Sequence, residues 1–505
     1  MRVEVGRGGA KAAATTTTCE EPLSPTARVF HDPSFNCHII AKMGCKTSID
    51  PAVVIDGLKH TLIKHPRFSS KLVVVNDHNG QKKRWVPTTV NVEDHVIVPE
   101  LDLKMNSPDQ FVEDYISHIT TIPMDLSKPL WEVHILNVKT SDAEALGVLK
   151  IHHAIGDGVS LMSLLLACTR KTSDPESLPT VPGSKRKDSV ASTGFCGLVF
   201  NTLVDMMLVV ATILFFRDTN TPIKGAPGVE LKPKRFIHRT VSLDDIKLVK
   251  NATNTTINDV LLGVTEAGLS LYLNRRYSEN EKDDEGTKNR INLLESICLR
   301  STLLVNIRPG TGIQALADMM EESKYGWGNR IGYILLPFNI ALHDDPLEYI
   351  RSTKRTIDRK KFSLEAIFIH LAGTLTAKLL GAKLHFLKMN EVCTFVTQAA
   401  ATIAHKILSN TTLSFSNVVG PVEEISFYGH PMAYLAPSVY GHPHALTMHF
   451  QSYTDKMTIV LAVDPEVIPD PYGLLDDLEE SLAAMKDAVV QRGLNEKEAV
   501  KEKIS

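Results

Sequence analysis

An α/β fold of the layered α+β kind, spread over two domains of about 200 residues, is predicted by three observations. The chain has 505 residues, too many for one ordinary core. Apolar runs bounded by Gly, Pro, Asn and Asp have the length of strands, and stretches of helical spacing lie between them. Apolar residues make up 43% and charged residues 22% of the chain, a globular composition.

Residues 1–20 lack the apolar centre of a signal peptide, and their Ala and Thr repeats predict a disordered leader. Asp50 then caps a helix with Pro51 at its first position and Val54, Leu58 and Leu62 on one face. Ser107-Pro108 repeats the device ahead of Phe111, Tyr115 and Ile119. Strands are predicted over 67–75, 131–138 and 145–152. A stretch rich in Ser, Pro, Gly and Thr, with the basic cluster Lys185-Arg186-Lys187, ends the first domain. With the polar segment 218–235 it predicts a first domain over 21–183, a linker over 184–235, a second domain over 236–491 and a tail over 492–505.

In the second domain Thr256 caps a helix through Asn258, Leu261, Leu262 and Leu269. Strands are predicted at 303–307, 331–336, 412–418 and 457–463, and Asp345-Pro346 opens another helix. Residues 278–290 are expected to be a solvated loop, and 471–491 are predicted to form an amphipathic closing helix.

The formal net charge is −3 and the basic residues form no long stripe, which excludes nucleic acid as the expected partner. Seven scattered cysteines without a CxxC pair support neither a zinc site nor a redox motif and fit a reduced compartment.

The stretch Lys150–Gly158 (KIHHAIGDG) joins an apolar strand to an apolar helix. Gly156 and Gly158 are expected to supply the sharp backbone change between them. No third ligand follows His153 and Asp157 at a metal-binding spacing, so no metal is expected. A neutral imidazole can accept a proton near pH 7. The chain holds no GxSxG elbow. One base without a protein nucleophile favours direct attack of an alcohol or amine on an activated acyl group.

His152-His153-x-x-x-Asp157-Gly158 resembles the HHxxxDG motif of the chloramphenicol-acetyltransferase-like acyltransferases. Further stretches resemble one branch, the plant bifunctional wax ester synthase/diacylglycerol acyltransferases. They are Glu21–Pro25, Pro129–Glu132, Asn258–Leu261, Val305–Pro309, Gly328-Asn329-x-x-Gly332 and Ser416–Pro421. The resemblance implies two chloramphenicol-acetyltransferase-like lobes with the active site in a tunnel between them, and His153 as proton acceptor. His152 would shape the turn, and Asp157 would anchor it with Arg308 as partner. The implied reaction moves a fatty acyl group from acyl-CoA, a substrate and not a cofactor, to a fatty alcohol or diacylglycerol, with no acyl-enzyme. Transfer to a small soluble alcohol or amine, or lipid binding without catalysis, are the alternative readings. Asn258, Ser416 and Asn417, each at an element end, are candidate oxyanion donors or substrate contacts. Pro129–Trp131 and Gly328-Asn329 are expected to serve packing and turns. Tyr325–Gly328 (YGWG) only mimics the DFGWG motif of soluble plant acyltransferases, because it runs on into Asn329-Arg330-Ile331-Gly332.

Phe195–Phe216 is a 22-residue apolar run with one charge, Asp205, long enough to span a bilayer. An Asp near the centre costs about 2.5–3.5 kcal/mol on insertion scales, which the thirteen Leu, Ile, Val and Phe residues can offset. Topology opposes a span, because one crossing would put the two halves on opposite sides of the membrane. At about 100° per residue, Asn201, Thr202, Asp205 and Thr212 share one stripe. The expectation is a helix lying in the membrane surface or docked on the protein, flanked by Lys185–Lys187 and Arg217 for anionic headgroups. The resemblance implies the cytosolic face of the endoplasmic reticulum, with the plasma membrane as the alternative seat.

Overall fold

The computed structural model describes residues 20–77, 80–101, 106–180, 194–278, 293–308, 326–371 and 389–493. The expected leader through residue 19, the Lys185–Lys187 cluster, residues 279–290 of the expected loop, Pro309, Tyr325 and the expected tail from 494 lie outside the described residues.

Among the described residues the strands assort into three sheets. The smallest has the order β1 (Glu21–Pro22), β4 (Gly80–Pro87), β3 (Ser70–Asp77). A seven-stranded sheet runs β5 (Val96–Ile97), β6 (Trp131–Leu136), β7 (Ala145–His152), β2 (His38–Cys45), β14 (His430–Tyr440), β13 (Ile425–Phe427), β8 (Thr169–Lys171). A six-stranded sheet runs β11 (Ile331–Asn339), β10 (Cys298–Asn306), β12 (Leu413–Val418), β15 (Leu446–Tyr453), β16 (Lys456–Val463), β9 (Arg235–Ser242). Strands β13 and β14 belong to the second half of the chain yet complete the sheet of the first half. β14 pairs antiparallel with β2, with Tyr440 opposite His38 and Ser438 opposite Ile40. The two halves are thereby stitched together by backbone hydrogen bonds.

Capping chemistry places the helices. Asp50 accepts from the Ala52 N–H at the start of α2 (Pro51–His60), after the short α1 (Pro25–Phe30). Along α3 (Pro108–Thr121) the buried stripe is Val112, Ile116 and Ile119, while Phe111 and Tyr115 are only partly covered. α4 (Gly158–Cys168) follows β7 directly. After α5 (Phe195–Leu214) and α6 (Leu243–Ala252), Thr256 and Asp259 exchange side-chain bonds with each other's backbone N–H, a reciprocal cap that opens α7 (Ile257–Ser278). α8 (Leu347–Lys361), α9 (Met389–Ser409) and α10 (Pro471–Gln491) complete the set.

In the six-stranded sheet, Leu413, Phe415, Met448, Phe450, Ile459 and Leu461 join a core with α7, α8 and α10. Side chains alternate across a strand, so Thr302, Ser414, Ser416 and His449 fall on the opposite face. The segment 218–235, expected as part of a linker, is fastened to the second half. Asp218 accepts from Arg300 Nε at 2.6 Å and from Thr412 Oγ1 at 2.6 Å, and Ile223 is wholly buried. Its polar residues mark paired burial, which a residue-type count does not distinguish from a loop.

The same logic holds α5 in place. Its predicted polar stripe faces the protein: Asp205 is buried and paired at 2.9 Å with both Arg359 and Lys360. Lys360 also reaches buried Glu365 at 2.6 Å. Leu364 N–H donates to Thr202 Oγ1, Arg300 donates to Thr212 Oγ1, and Asn410 donates to the Thr212 carbonyl. The apolar face is left outside, with Phe200, Leu203, Met207 and Leu214 each more than half exposed.

Candidate active site

His153 stands where β7 turns into α4. Its backbone N–H donates to the Cys37 carbonyl at 2.9 Å, and its ring stacks on Phe30 with centroids 4.1 Å apart. Burial pushes its pKa below the ordinary histidine value, only partly opposed by Asp157 and by hydrogen bonds. The ring is therefore neutral at physiological pH, the form a general base requires.

Which nitrogen carries the proton is settled by Asn329. Its amide Nδ2 donates to the His153 carbonyl at 2.8 Å, which turns its oxygen toward His153 Nδ1 at 3.0 Å. An amide oxygen only accepts, so the network assigns the proton to Nδ1. Nε2 keeps its lone pair. Asn329 was expected to serve a turn; it is the orienting partner of the imidazole.

The neighbouring residues hold the turn. The Asp157 side chain caps α4 through the Ser160 N–H at 2.9 Å and accepts the Arg330 N–H at 2.8 Å. Arg308 grips it with two bonds of 2.8 and 3.1 Å, both partners being 1% exposed. The same guanidinium donates to Ser160 Oγ and to the Gly328 carbonyl. Trp327 Nε1 donates to the Ile155 carbonyl at 2.7 Å. Residues 327–330 of the second half thus clasp the histidine turn of the first. Gly328 adopts φ +115°, where L side chains are strained.

His152 points elsewhere. Its Nδ1 accepts from the Ala154 N–H, so Nε2 donates to Asn36 Oδ1 at 2.8 Å. Gly156 and Gly158 depart from expectation, since neither has a positive φ. Gly156 instead sits in a tight space, as a Cβ there would lie 3.2 Å from Ser160 Cβ and 3.3 Å from the Trp327 ring. Gly158 opens α4, and a Cβ there would make ordinary contact at 3.7 Å.

A cavity reaches His153. Its other walls include Phe30, Phe35, Met206, Ile213, Ile407 and Leu408, with Thr302 and His442 among its few polar groups. Thr302 Oγ1 and Ser414 Oγ are 2.9 Å apart, and Ser414 Oγ is 3.2 Å from His442 Nδ1. Burial first, then nearby His153, pushes His442 down to about 3, so that ring is neutral as well. None of the expected oxyanion candidates lines this cavity. Asn417 Nδ2 donates to Asn258 Oδ1 at 2.5 Å, and strand alternation puts Asn417 with Phe415 on the helix-covered face. Ser416 is buried on the same face as Ser414 but is not a lining residue. Thr302, His442 and Asn329 were missed. The one available signal was period-two alternation in β12, which groups Ser414 with Ser416 and against Asn417.

Asn329→Leu should lower kcat by up to roughly 10²-fold through a misaimed ring. Asn329→Asp would place a carboxylate beside Nδ1 and favour the imidazolium. The acid limb of its pH–rate profile should therefore move to higher pH, a shift that a merely structural role would not produce.

Comparison with known proteins adds the following. Residues 36–215 match the family described as wax ester synthase/diacylglycerol acyltransferase catalytic domain, and residues 327–486 match the WS/DGAT C-terminal domain. Wax ester synthase/diacylglycerol acyltransferase 11 of Arabidopsis thaliana is 54% identical, over 97% of this chain and 99% of the relative. Number 5 of the same organism is 52% identical over the same shares. Among solved structures, the wax ester synthase/diacylglycerol acyltransferase from Marinobacter aquaeolei VT8 superposes with a TM-score of 0.57 at 19% identity, covering 93% of this chain and 99% of that one. The first condensation domain of the CDA synthetase gives a TM-score of 0.52 at 12% identity, covering 94% and 97%. These two show a shared two-lobed fold.

Proposed function

Because this chain belongs to the wax ester synthase/diacylglycerol acyltransferase family, we propose that His153 Nε2 takes the hydroxyl proton of a long-chain alcohol or diacylglycerol as that oxygen attacks the acyl-CoA thioester. The chain is an acyl-CoA-dependent O-acyltransferase. Attack forms a tetrahedral oxyanion. Collapse breaks the carbon–sulfur bond, the thiolate recovers the proton from His153, and ester and free coenzyme A leave. No Ser or Cys takes the acyl group. General base catalysis of this kind contributes roughly 10²- to 10⁴-fold. His442 and Thr302, which line the cavity with His153, are the proposed groups facing the oxyanion, in place of Asn258, Ser416 and Asn417.

The observation that carries the reading is a neutral, tautomer-fixed histidine lining a cavity walled by aliphatic and aromatic side chains. Such walls suit a lipid chain and offer a small polar acceptor few partners. The exposed apolar face of α5 supports a second element of the proposal, docking on a membrane surface. Asp205, tied to Arg359 and Lys360, argues for a helix that lies on the membrane with both halves on one side. The proposed seat is the cytosolic face of the endoplasmic reticulum or the plasma membrane, where acyl-CoA is dissolved.

The test is a competition assay. Purified enzyme receives labelled palmitoyl-CoA with hexadecanol, dioleoylglycerol and butan-1-ol together. Wax ester or triacylglycerol is expected as the main labelled product. Labelled butyl ester alone, or no ester at all, would refute the lipid reading.

A further inference from the structure

We propose that the neutral acceptor lipid passes sideways from the membrane to His153 between α5 and α9. The inference rests on the reading of His153 as the base for a lipid acceptor, and it assigns the route and the residues that select for it.

Two residues belong at once to the interior and to the surface. Val210 of α5 lines the cavity that holds His153 and is 49% exposed. Ile403 of α9 lines the same cavity and is 42% exposed. Both residues therefore run from the cavity wall to the molecular surface, and the proposed mouth lies between them. Deeper in, Val209 and Ile407 are almost fully covered and pack with Leu335.

The faces of α5 follow one another around its axis at about 100° per residue. Asp205 and Thr212 lie on the stripe fastened to the protein. Met206, Val209 and Ile213 lie on the next and wall the cavity. Leu203, Met207 and Leu214 lie on the third and face outward. Val210 sits on the border between wall and outer face. Apolar surface therefore continues without a polar break from the proposed membrane-facing stripe into the cavity.

Charge decides which substrate uses this mouth. Coenzyme A carries phosphates, and drawing charge across an apolar rim without partners is strongly unfavourable. A fatty alcohol or diacylglycerol is uncharged and already dissolved in the bilayer. It can advance hydroxyl first along the apolar wall to Nε2. The acyl-CoA thioester must reach His153 from the aqueous side.

The experiment uses the full chain carrying Val210→Trp or Ile403→Trp, with palmitoyl-CoA as donor. Acceptors are hexadecanol in phosphatidylcholine vesicles and butan-1-ol in buffer, which is small enough to reach His153 by any opening. The kcat/KM for hexadecanol should fall by at least about tenfold, while that for butan-1-ol stays within about twofold. Vesicle flotation and the KM for palmitoyl-CoA should not change. Unchanged hexadecanol turnover would overturn the proposal, and so would equal losses with both alcohols. A raised KM for palmitoyl-CoA with hexadecanol spared would also overturn it, since the mouth would then serve the acyl donor. Wild-type turnover of butan-1-ol reports the base independently of this route, so the two readings fail in different arms.

Discussion

His153→Ala is expected to lose at least about 10²-fold in kcat with an alcohol acceptor while remaining folded. The size follows from the role. A hydroxyl near neutral pH is a poor nucleophile, and His153 Nε2 is the lone pair that the Asn329 contacts at 2.8 and 3.0 Å leave free. His153→Gln keeps most of the volume against Phe30, so a matching loss there separates chemistry from packing. His152→Ala should be milder, because that ring spends both nitrogens on Ala154 and Asn36. Steady-state rates with palmitoyl-CoA and hexadecanol decide it, and near wild-type turnover in His153→Ala would sink the mechanism.

The second large effect concerns stability. Arg308→Leu would leave Asp157 charged, 1% exposed and without its counter-ion. Breaking such a pair costs about 3–5 kcal/mol. The loss reaches beyond the pair, because Arg308 also holds the Gly328 carbonyl and so the segment that carries Asn329. Urea unfolding should show the drop, and activity should fall with it. Adding Asp157→Asn removes the orphaned charge while retaining an amide oxygen for the Ser160 cap, and should recover part of the lost stability. An Arg308→Leu midpoint equal to wild type would show that the pair does not hold the turn.

What could be read from the residues divides along sequence distance. The histidine turn was legible because strand, turn and helix are contiguous over 145–168, and Asp157 caps the helix it precedes. The reciprocal Thr256–Asp259 cap and the closing helix at 471–491 are local in the same sense. Asn329 was not, since it meets His153 across 176 positions. Nothing in Gly-Asn distinguishes a turn from an orienting amide. The stripe on α5 followed from helical geometry, yet its partners Arg300 and Arg359 lie 88 and 154 positions away. Residue type alone could not say whether that stripe met water or buried cations. Strands β13 and β14 escaped detection as part of the first sheet because pairing partners across such a separation leave no mark in local periodicity.

The most direct measurement is the pH dependence of kcat/KM for the alcohol, compared between wild type and His153→Gln. The base works only when neutral, and burial holds its pKa below the ordinary 6.5. Activity should therefore be held at pH 7.5 and be lost only as the pH falls through the lowered value, with its midpoint below 6.5. That acid limb should vanish in His153→Gln, whose residual rate has no imidazole to protonate. An acid limb centred at or above 6.5 in wild type, or one that persists unchanged in His153→Gln, would contradict the assignment of His153 as the base.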